Sequence, residues 1–463
     1  MNPVYAMERI NTWWESGNVD PALLHKRLRS EFSEILASLG SGITNITGPC
    51  GCGKTALLHQ TIHHLLASQV PARRILLLGG DEMTLFGERR SVGSLLDVYA
   101  TDILHEDLFA LTAPVYVFLD DVERIEDWQI YVLNYAQHAS NLKFIVAQGL
   151  GTRDDGLPPE TERRVRVMPL TQVQFAEFFG AYRRADVDLL RFKSLLPGEP
   201  LFEDPSAYYR ELSANVYPLG EFRPYKSQIL EEYLLCGGYP GFFHAGSPEE
   251  WLHSLLLLLD RSLYLDVAAE GGIRAPLKLK KLLFLIASRG GVEQSYGSIG
   301  RSLYLDTSTT IAYIAALSGC GIAEVAENFS PALTQAGRVV RKNRRFYVLD
   351  TGVSNAFLRN TGISAEYDAL VLQALRYLAH EYARAAGGEV FFWKDGKREV
   401  DLVLRTPRGL LPVSVNYQRE ISERRVRSLR AFMKLYGAEF AVLVTKDKLD
   451  AEDGVYFIPY WMI

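Results

Sequence analysis

Short, nearly continuous apolar runs recur through the first third of the chain, and each closes on a glycine, an acid or an amide. Ile43–Thr47 (ITNIT), Arg74–Leu78 (RILLL), Val115–Leu119 (VYVFL) and Lys143–Ala147 (KFIVA) have the length and density of strands buried on both faces. A helical stretch, Ala56–Ser68, follows the first run. Strand and helix in alternation predict a mostly parallel sheet covered on both sides, with ligands gathering at the carboxyl ends of its strands. Further along, the spacing predicts helices at Ser227–Leu235, Leu277–Ser288, Ser295–Leu303 and Thr307–Ser318, then a two-stranded hairpin from Ile322–Val325 and Phe346–Leu349. The stretch Ala181–Phe222, with Pro, Gly and scattered aromatics, reads as an irregular insertion. The last hundred residues predict a helix (Asp368–Arg384), strands (Val390–Trp393, Val400–Arg405, Leu411–Val415), a helix (Glu420–Tyr436) and a strand (Glu439–Thr445).

The first apolar run leads straight into Gly48-Pro49-Cys50-Gly51-Cys52-Gly53-Lys54-Thr55. Strand, GxxxxGK[ST] loop and helix together form a phosphate-binding loop: glycines let backbone N–H groups curl around phosphates, and a helix start adds its positive dipole end. Lys54 is expected to reach the β- and γ-phosphates, and the Thr55 hydroxyl to ligate Mg²⁺. The strand ending in Asp120-Asp121 has the form of a Walker B element. Asp120 would then join the Mg²⁺ shell and Asp121 would polarise the attacking water, with capping of the strand-to-helix turn as the structural alternative for Asp121. Gln148, at the end of the fourth run, is a candidate γ-phosphate sensor. Arg153, Arg163 and Arg164 are candidates for reaching a neighbour's phosphate, against the plain reading of exposed arginines.

Composition narrows the class. The chain has 463 residues, 48% of them hydrophobic and 23% charged, as expected of a soluble multi-domain protein. A net charge of −5 excludes a polycation that wraps nucleic acid, so any such contact must be a local patch. The N-terminus lacks a signal-peptide layout, and the longest apolar run, Leu255–Leu259, is far short of the roughly 20 residues that cross a bilayer. Cys50, Cys52, Cys236 and Cys320 make no zinc pattern, and a reducing, cytoplasmic setting is expected.

Several motifs resemble those of a prokaryotic AAA-like ATPase family whose members join a P-loop domain to a C-terminal region of unknown function. Leu119–Gln129 (LDDVERIEDWQ) is similar to its LDEIQ…W signature, and Met168–Phe178 to a PLS…EF motif. Cys236–Pro240 (CGGYP) resembles GGFP, Tyr347–Gly352 (YVLDTG) a YF-D-G segment, and Glu399–Leu402 (EVDL) an EVDF motif. The resemblance implies ATP as the nucleotide. Two departures stand out. Asp121 replaces the usual Glu, a shorter carboxylate that implies slow hydrolysis, and Cys50 and Gly51 replace basic residues of the loop.

Three helices and a hairpin are the layout of a winged helix-turn-helix. Thr307–Thr310 would open the recognition helix with hydroxyls for phosphate or base edges. Arg338, Arg341, Lys342, Arg344 and Arg345 would form a basic wing for DNA phosphates, a solvated hairpin or a protein-docking module being the alternatives. The hexapeptide RSLYLD occurs at Arg261–Asp266 and again at Arg301–Asp306 without similarity around it. The final element order resembles the restriction-endonuclease-like fold. Asp401 matches its first strand carboxylate and Asp368 replaces a helix Glu, but Ser414 and Asn416 stand where the second carboxylate and lysine belong. A metal-dependent cut needs both, so this module is expected to be a scaffold without nuclease activity.

The expected division is a lead at 1–25, a P-loop α/β domain at 26–180, an insertion and helical lid at 181–245, a winged helix at 246–360 and a degenerate nuclease-like α/β domain at 361–463. The expected function is Mg²⁺-dependent binding and hydrolysis of ATP, coupled to double-stranded or branched DNA, a protein partner or further copies of the chain. A nucleotide-binding regulator with little turnover, and less favoured an ATP-dependent nuclease, are the alternatives.

Overall fold

A computed structural model describes residues 2–24, 29, 31–80, 91–122, 125, 128–150, 165–170, 172–173, 177–178, 203–219, 223–242, 247–268, 272–330, 344–362 and 367–463. The chain divides into two compact units, Met1–Gln172 and Val173–Ile463.

In the first unit, five strands form a parallel sheet: β1 (Ile43–Gly48), β2 (Ile75–Gly79), β3 (Val115–Asp120), β4 (Leu142–Gly149) and β5 (Val165–Pro169), in the order β2-β3-β4-β1-β5. The apolar runs are continuous because both faces are covered, and successive residues go to opposite cores. Leu76 and Leu78 pack with Val117, Leu119 and the helices α4 (Val92–Val98) and α5 (Trp128–His138); Ile75 and Leu77 pack with Ile46, Phe118 and the helix α3 (Lys54–Ala67). Burial of Leu57, Leu58 and Ile62 of α3 contributes about 2 kcal/mol for each side chain. The edge strand β5 has no matching apolar run, since Arg166 and Val167 are exposed.

The residues before β1 are more than a lead. The helix α1 (Pro3–Ile10) packs on the sheet, and α2 (Phe32–Ser38) on α3. The Asn11 side chain accepts from Leu77 N at 2.6 Å and donates to Leu77 O at 3.0 Å, while the indole N–H groups of Trp13 and Trp14 both donate to Ile75 O. The edge of β2 is thus hydrogen-bonded by side chains rather than by a strand.

The second unit opens on helices. Residues 205–219 form α6 (Pro205–Leu219), capped by the Asp204 carboxylate on Ala207 N, so part of the stretch read as irregular is helical. The rest of that stretch lies outside the described residues. Then come α7 (Arg223–Cys236), α8 (Pro248–Arg261), α9 (Pro276–Ser288), the short strand β6 (Glu293–Gln294), α10 (Tyr296–Leu303), α11 (Thr307–Gly319), β7 (Ala323–Asn328), β8 (Arg344–Val348), α12 (Thr351–Leu358) and α13 (Tyr367–Ala386). Strands β7 and β8 pair antiparallel, with Ala323 opposite Val348, and β6 flanks β8. The chain closes with β9 (Glu389–Asp395), β10 (Arg398–Thr406), β11 (Gly409–Asn416), α14 (Glu423–Tyr436), β12 (Ala441–Thr445), β13 (Asp450–Glu452) and β14 (Val455–Pro459). Because β7 also pairs parallel with β9, the nine strands among the described residues of this unit join one sheet, β13-β14-β12-β11-β10-β9-β7-β8-β6.

Two sequence motifs meet inside this unit. The Asp350 carboxylate accepts from Val353 N, capping α12, and from Gly238 N of the CGGYP turn at 2.8 Å. A Cβ at Gly237 would lie 2.2 Å from Asp350 Oδ1, and one at Gly352 would lie 2.1 Å from Cys236 O, so both glycines are required by close approach. A fully buried pair ties β7 to α13: Arg376 Nε donates to Glu324 Oε2 at 2.8 Å, Arg376 Nη2 also bonds Glu324, and Nη1 donates to Asp401 O.

Candidate functional site

The strand β1, between β4 and the edge strand β5, delivers the glycine loop at the carboxyl end of the sheet. Gly51 and Gly53 have φ of 78° and 102°, left-handed values that favour glycine, and a Cβ on Gly48 would lie 2.3 Å from Leu170 O and 2.8 Å from Cys52 Sγ. The helix α3 opens on Gly53, which has no side chain to cap it, so its positive dipole end faces the loop. Lys54 is 7% exposed and its Nζ donates to Gly48 O at 3.0 Å and Pro49 O at 3.1 Å. Its ammonium is therefore folded back along the loop. Pro49 and Cys50 complete the turn, and Cys52 is buried, which pushes its thiol up.

Two hard oxygens converge beside Lys54. Thr55 Oγ1 donates to Asp120 Oδ2 at 2.6 Å, and Asp120 Oδ1 accepts from Asp121 N at 3.1 Å. Burial, and then the neighbouring Asp121 charge, push the Asp120 carboxyl up to about 6, against the pull of Thr55 and Lys54. A hydroxyl and a carboxylate this close have the donor chemistry for Mg²⁺, which would supply charge neutralisation to bound phosphates. Asp121 is half-buried with φ of 48°, an unusual conformation for a non-glycine residue. Gln148 lies on β4 in register with Thr47 of β1, at the same end of the sheet. Arg153, Arg163 and Arg164 lie outside the described residues.

One residue here escaped sequence reading. Arg29 is 5% exposed, and its Nη1 donates to Cys52 O at the turn of the loop, while Nη2 pairs with Glu31 at 3.4 Å. In the sequence it sits among other basic residues, a pattern that ordinarily marks a solvated stretch, so nothing there singles it out.

The second unit gathers the nuclease-like residues in a different state. Asp401 on β10 accepts from Val415 N at 2.9 Å and Arg425 Nη1 at 2.5 Å; Asp368 accepts from Tyr417 N at 2.7 Å and Arg425 Nη2 at 3.2 Å. A guanidinium from α14 bridges the two carboxylates. Burial raises the Asp401 carboxyl, with Arg425 and Val415 N–H working against it. The Ser414 side chain is fully buried, and Asn416 is spent on the loop before α14, donating to Glu420 O and accepting from Ser422 N. Among the described residues, no group of three or more His, Cys, Asp or Glu side chains is placed to hold a metal.

The basic wing needs correction at one residue. Arg345 is 5% exposed, pairs with Glu399 at 2.8 Å and Glu293 at 3.4 Å, and stacks 4.1 Å over Phe392, so it is committed to the interior rather than offered to phosphate. Arg344 pairs with Glu327 at 3.0 Å and lies over Tyr296. Arg338, Arg341 and Lys342 lie outside the described residues. The Ser308 and Thr309 hydroxyls donate to the Asp306 carboxylate, and Thr310 Oγ1 to Asp306 O. These hydroxyls, expected to face nucleic acid, instead hold an acid at the helix start.

Residues 41–179 match an AAA domain family; residues 227–364 and 365–463 match two domains of unknown function, DUF8612 and DUF4143. The chain is 23% identical over 422 residues to uncharacterized protein MJ1637 of Methanocaldococcus jannaschii, covering 89% of this chain and 82% of that one. Among solved structures it is similar to the Walker-type ATPase paby2304 of Pyrococcus abyssi, at 14% identity and TM-score 0.41, over 74% of this chain and 99% of that one. It is also similar to AMPPCP-bound DnaA of Aquifex aeolicus, at 14% identity and TM-score 0.25, over 65% and 92%. The AAA match and the parallel sheet support an AAA-like, ATP-binding P-loop domain in the first unit. Among the described residues, no helix is long and apolar enough to cross a membrane.

Proposed function

We propose that the chain is a Mg²⁺-dependent ATPase whose second unit binds a partner without cutting it. The observation that carries this reading is the Thr55–Asp120 hydrogen bond beside Lys54 in a glycine loop of the required backbone conformation. Lys54, released from its loop carbonyls, would pair with the β- and γ-phosphates; Thr55 and Asp120 would hold Mg²⁺, which would supply charge neutralisation; Asp121 would orient the water. A second reading, a nucleotide switch with little turnover, is favoured by one observation: Asp121 is a short carboxylate in a left-handed conformation.

For the second unit, the order α9-β6-α10-α11-β7-β8 supports a winged helix, and β9 to β14 with α13 and α14 supports a nuclease-like fold silenced by Arg425. Nucleic-acid contact by the wing then rests on Arg338, Arg341, Lys342 and Arg344 without Arg345. Phosphate release by the wild type, Lys54→Ala and Asp121→Glu, with and without duplex or branched DNA, tests the whole. Lys54→Ala is expected to lower the rate at least a hundredfold, the scale on which losing a transition-state contact is felt. A wild-type rate no higher than that of Lys54→Ala, with nucleotide still bound by the wild type, leaves the switch.

A further inference from the structure

We propose that Arg29 is a positioning residue of the phosphate loop, acting through the Cys52 carbonyl; this rests on the nucleotide-binding reading above and deepens it. Its guanidinium is nearly buried and donates to Cys52 O while pairing with Glu31. Burying an arginine is costly, and here part of the compensation is a neutral backbone carbonyl in the one loop that must meet phosphates.

The consequence follows from peptide geometry. A peptide unit is planar, with its C=O and N–H on opposite sides. Pinning Cys52 O on the Arg29 side therefore turns the Gly53 N–H the other way. Cys52 stands between Gly51 and Gly53, both in the left-handed region, and the turn carries its own bonds, Cys52 N to Pro49 O and Leu57 N to Gly53 O. Those bonds leave the Cys52 carbonyl itself to Arg29. Arg29 therefore adds a restraint on this peptide from outside the loop, so less conformational freedom is lost when phosphate binds. Its charge also reaches the loop, since it acts with Lys54 in pulling the Cys52 thiol down against burial.

The test is calorimetric titration of the full chain with Mg·ATP and with Mg·tripolyphosphate. The variants are Arg29→Ala, Arg29→Gln (a donor without charge) and Arg29→Lys, with Lys54→Ala as the reference that loses the loop's own cation. Losing a hydrogen bond to a charged group corresponds to roughly a tenfold to hundredfold change in affinity. Arg29→Ala is expected to weaken both ligands by that factor and by the same amount, because the effect lies on the phosphates and not the base. Arg29→Gln and Arg29→Lys should recover most of the loss. Thermal melting of each nucleotide-free variant shows whether it is folded; should Arg29→Ala unfold, Gln and Lys carry the comparison. Wild-type affinity for tripolyphosphate in folded Arg29→Ala would overturn the proposal, as would Arg29→Gln binding no better than Arg29→Ala, which would leave only a field effect. A wild type that binds neither ligand would instead take down the nucleotide-binding reading itself.

Discussion

The phosphate loop and the carboxylate pair of the C-terminal sheet both bring cations and acids together, but they treat them in opposite ways. In the loop, Lys54 is shared between two backbone carbonyls, and Asp120 is held by a hydroxyl and an amide. Those neutral partners can be exchanged for a ligand at modest cost. In the C-terminal sheet, Arg425 already bridges Asp368 and Asp401, and Arg376 is buried against Glu324. Charges that have found opposite charges are structural. The difference teaches that residue identity alone does not mark a working site: what holds each charge decides whether it can be given up.

The largest expected effect tests the claim that the second unit's charges are structural. Arg376→Ala leaves Glu324 buried without its guanidinium, and should cost about 3–5 kcal/mol in denaturant unfolding. A cost below about 1 kcal/mol would mean that water or rearrangement replaces the pair, and the contrast with the loop would fail.

A second test uses acid. Burial works to raise the Glu324 carboxyl, but Arg376 and His380 overrule it and hold it at about 2, below its ordinary 4.5. A depressed folded pKa gives stability that is present above 4.5 and is lost as pH falls from there to about 2, at most roughly 3 kcal/mol. Asp350 runs the other way. Burial outweighs its amide donors and raises it to about 6 from 3.8. Its folded state therefore binds the proton more readily, and its contribution grows as pH falls from about 6 to 4, also by at most roughly 3 kcal/mol. Unfolding of the second unit should thus show maximal stability near pH 4 to 5, and Asp350→Asn should remove the rise between pH 6 and 4. A stability that declines steadily from pH 7 downward would contradict this assignment.

The smallest effect concerns the Asp368–Asp401 pair. Arg425 is about a third exposed, so Arg425→Ala should cost only about 1 kcal/mol, and nuclease activity should stay absent because Ser414 and Asn416 remain. DNA cleavage by the wild type with Mg²⁺ or Mn²⁺, abolished by Asp401→Ala, would reverse the reading of this module.

Local patterns carried well from sequence to structure. The parallel sheet was legible because a strand buried on both faces must be apolar throughout, and the glycine loop because its backbone demands particular residues in a short span. What stayed hidden depends on distant partners. Arg425 bridging two acids, Asp350 locking the CGGYP turn and Arg29 on Cys52 each join segments that no spacing rule connects. β5 escaped because an edge strand needs less hydrophobicity. The twin hexapeptides make the limit plain. In the first copy, Ser262–Val267 continues a helix as a wider π-turn; in the second, Tyr304 breaks the helix at φ of 53° and is 92% exposed. The same six residues take two conformations because their surroundings differ, not their propensities.

The side chain of Asn11 offers Leu77 one acceptor and one donor, as the main chain of an adjoining strand would. A sheet edge invites growth, because its unpaired amides and carbonyls template whatever extended segment arrives. At β2 that invitation has been withdrawn by a single amide and two indoles. Asn11, Trp13 and Trp14 therefore act as a stopper against strand recruitment along this edge. Replacing these three side chains would show first as self-association, with the glycine loop and Arg29 left in place.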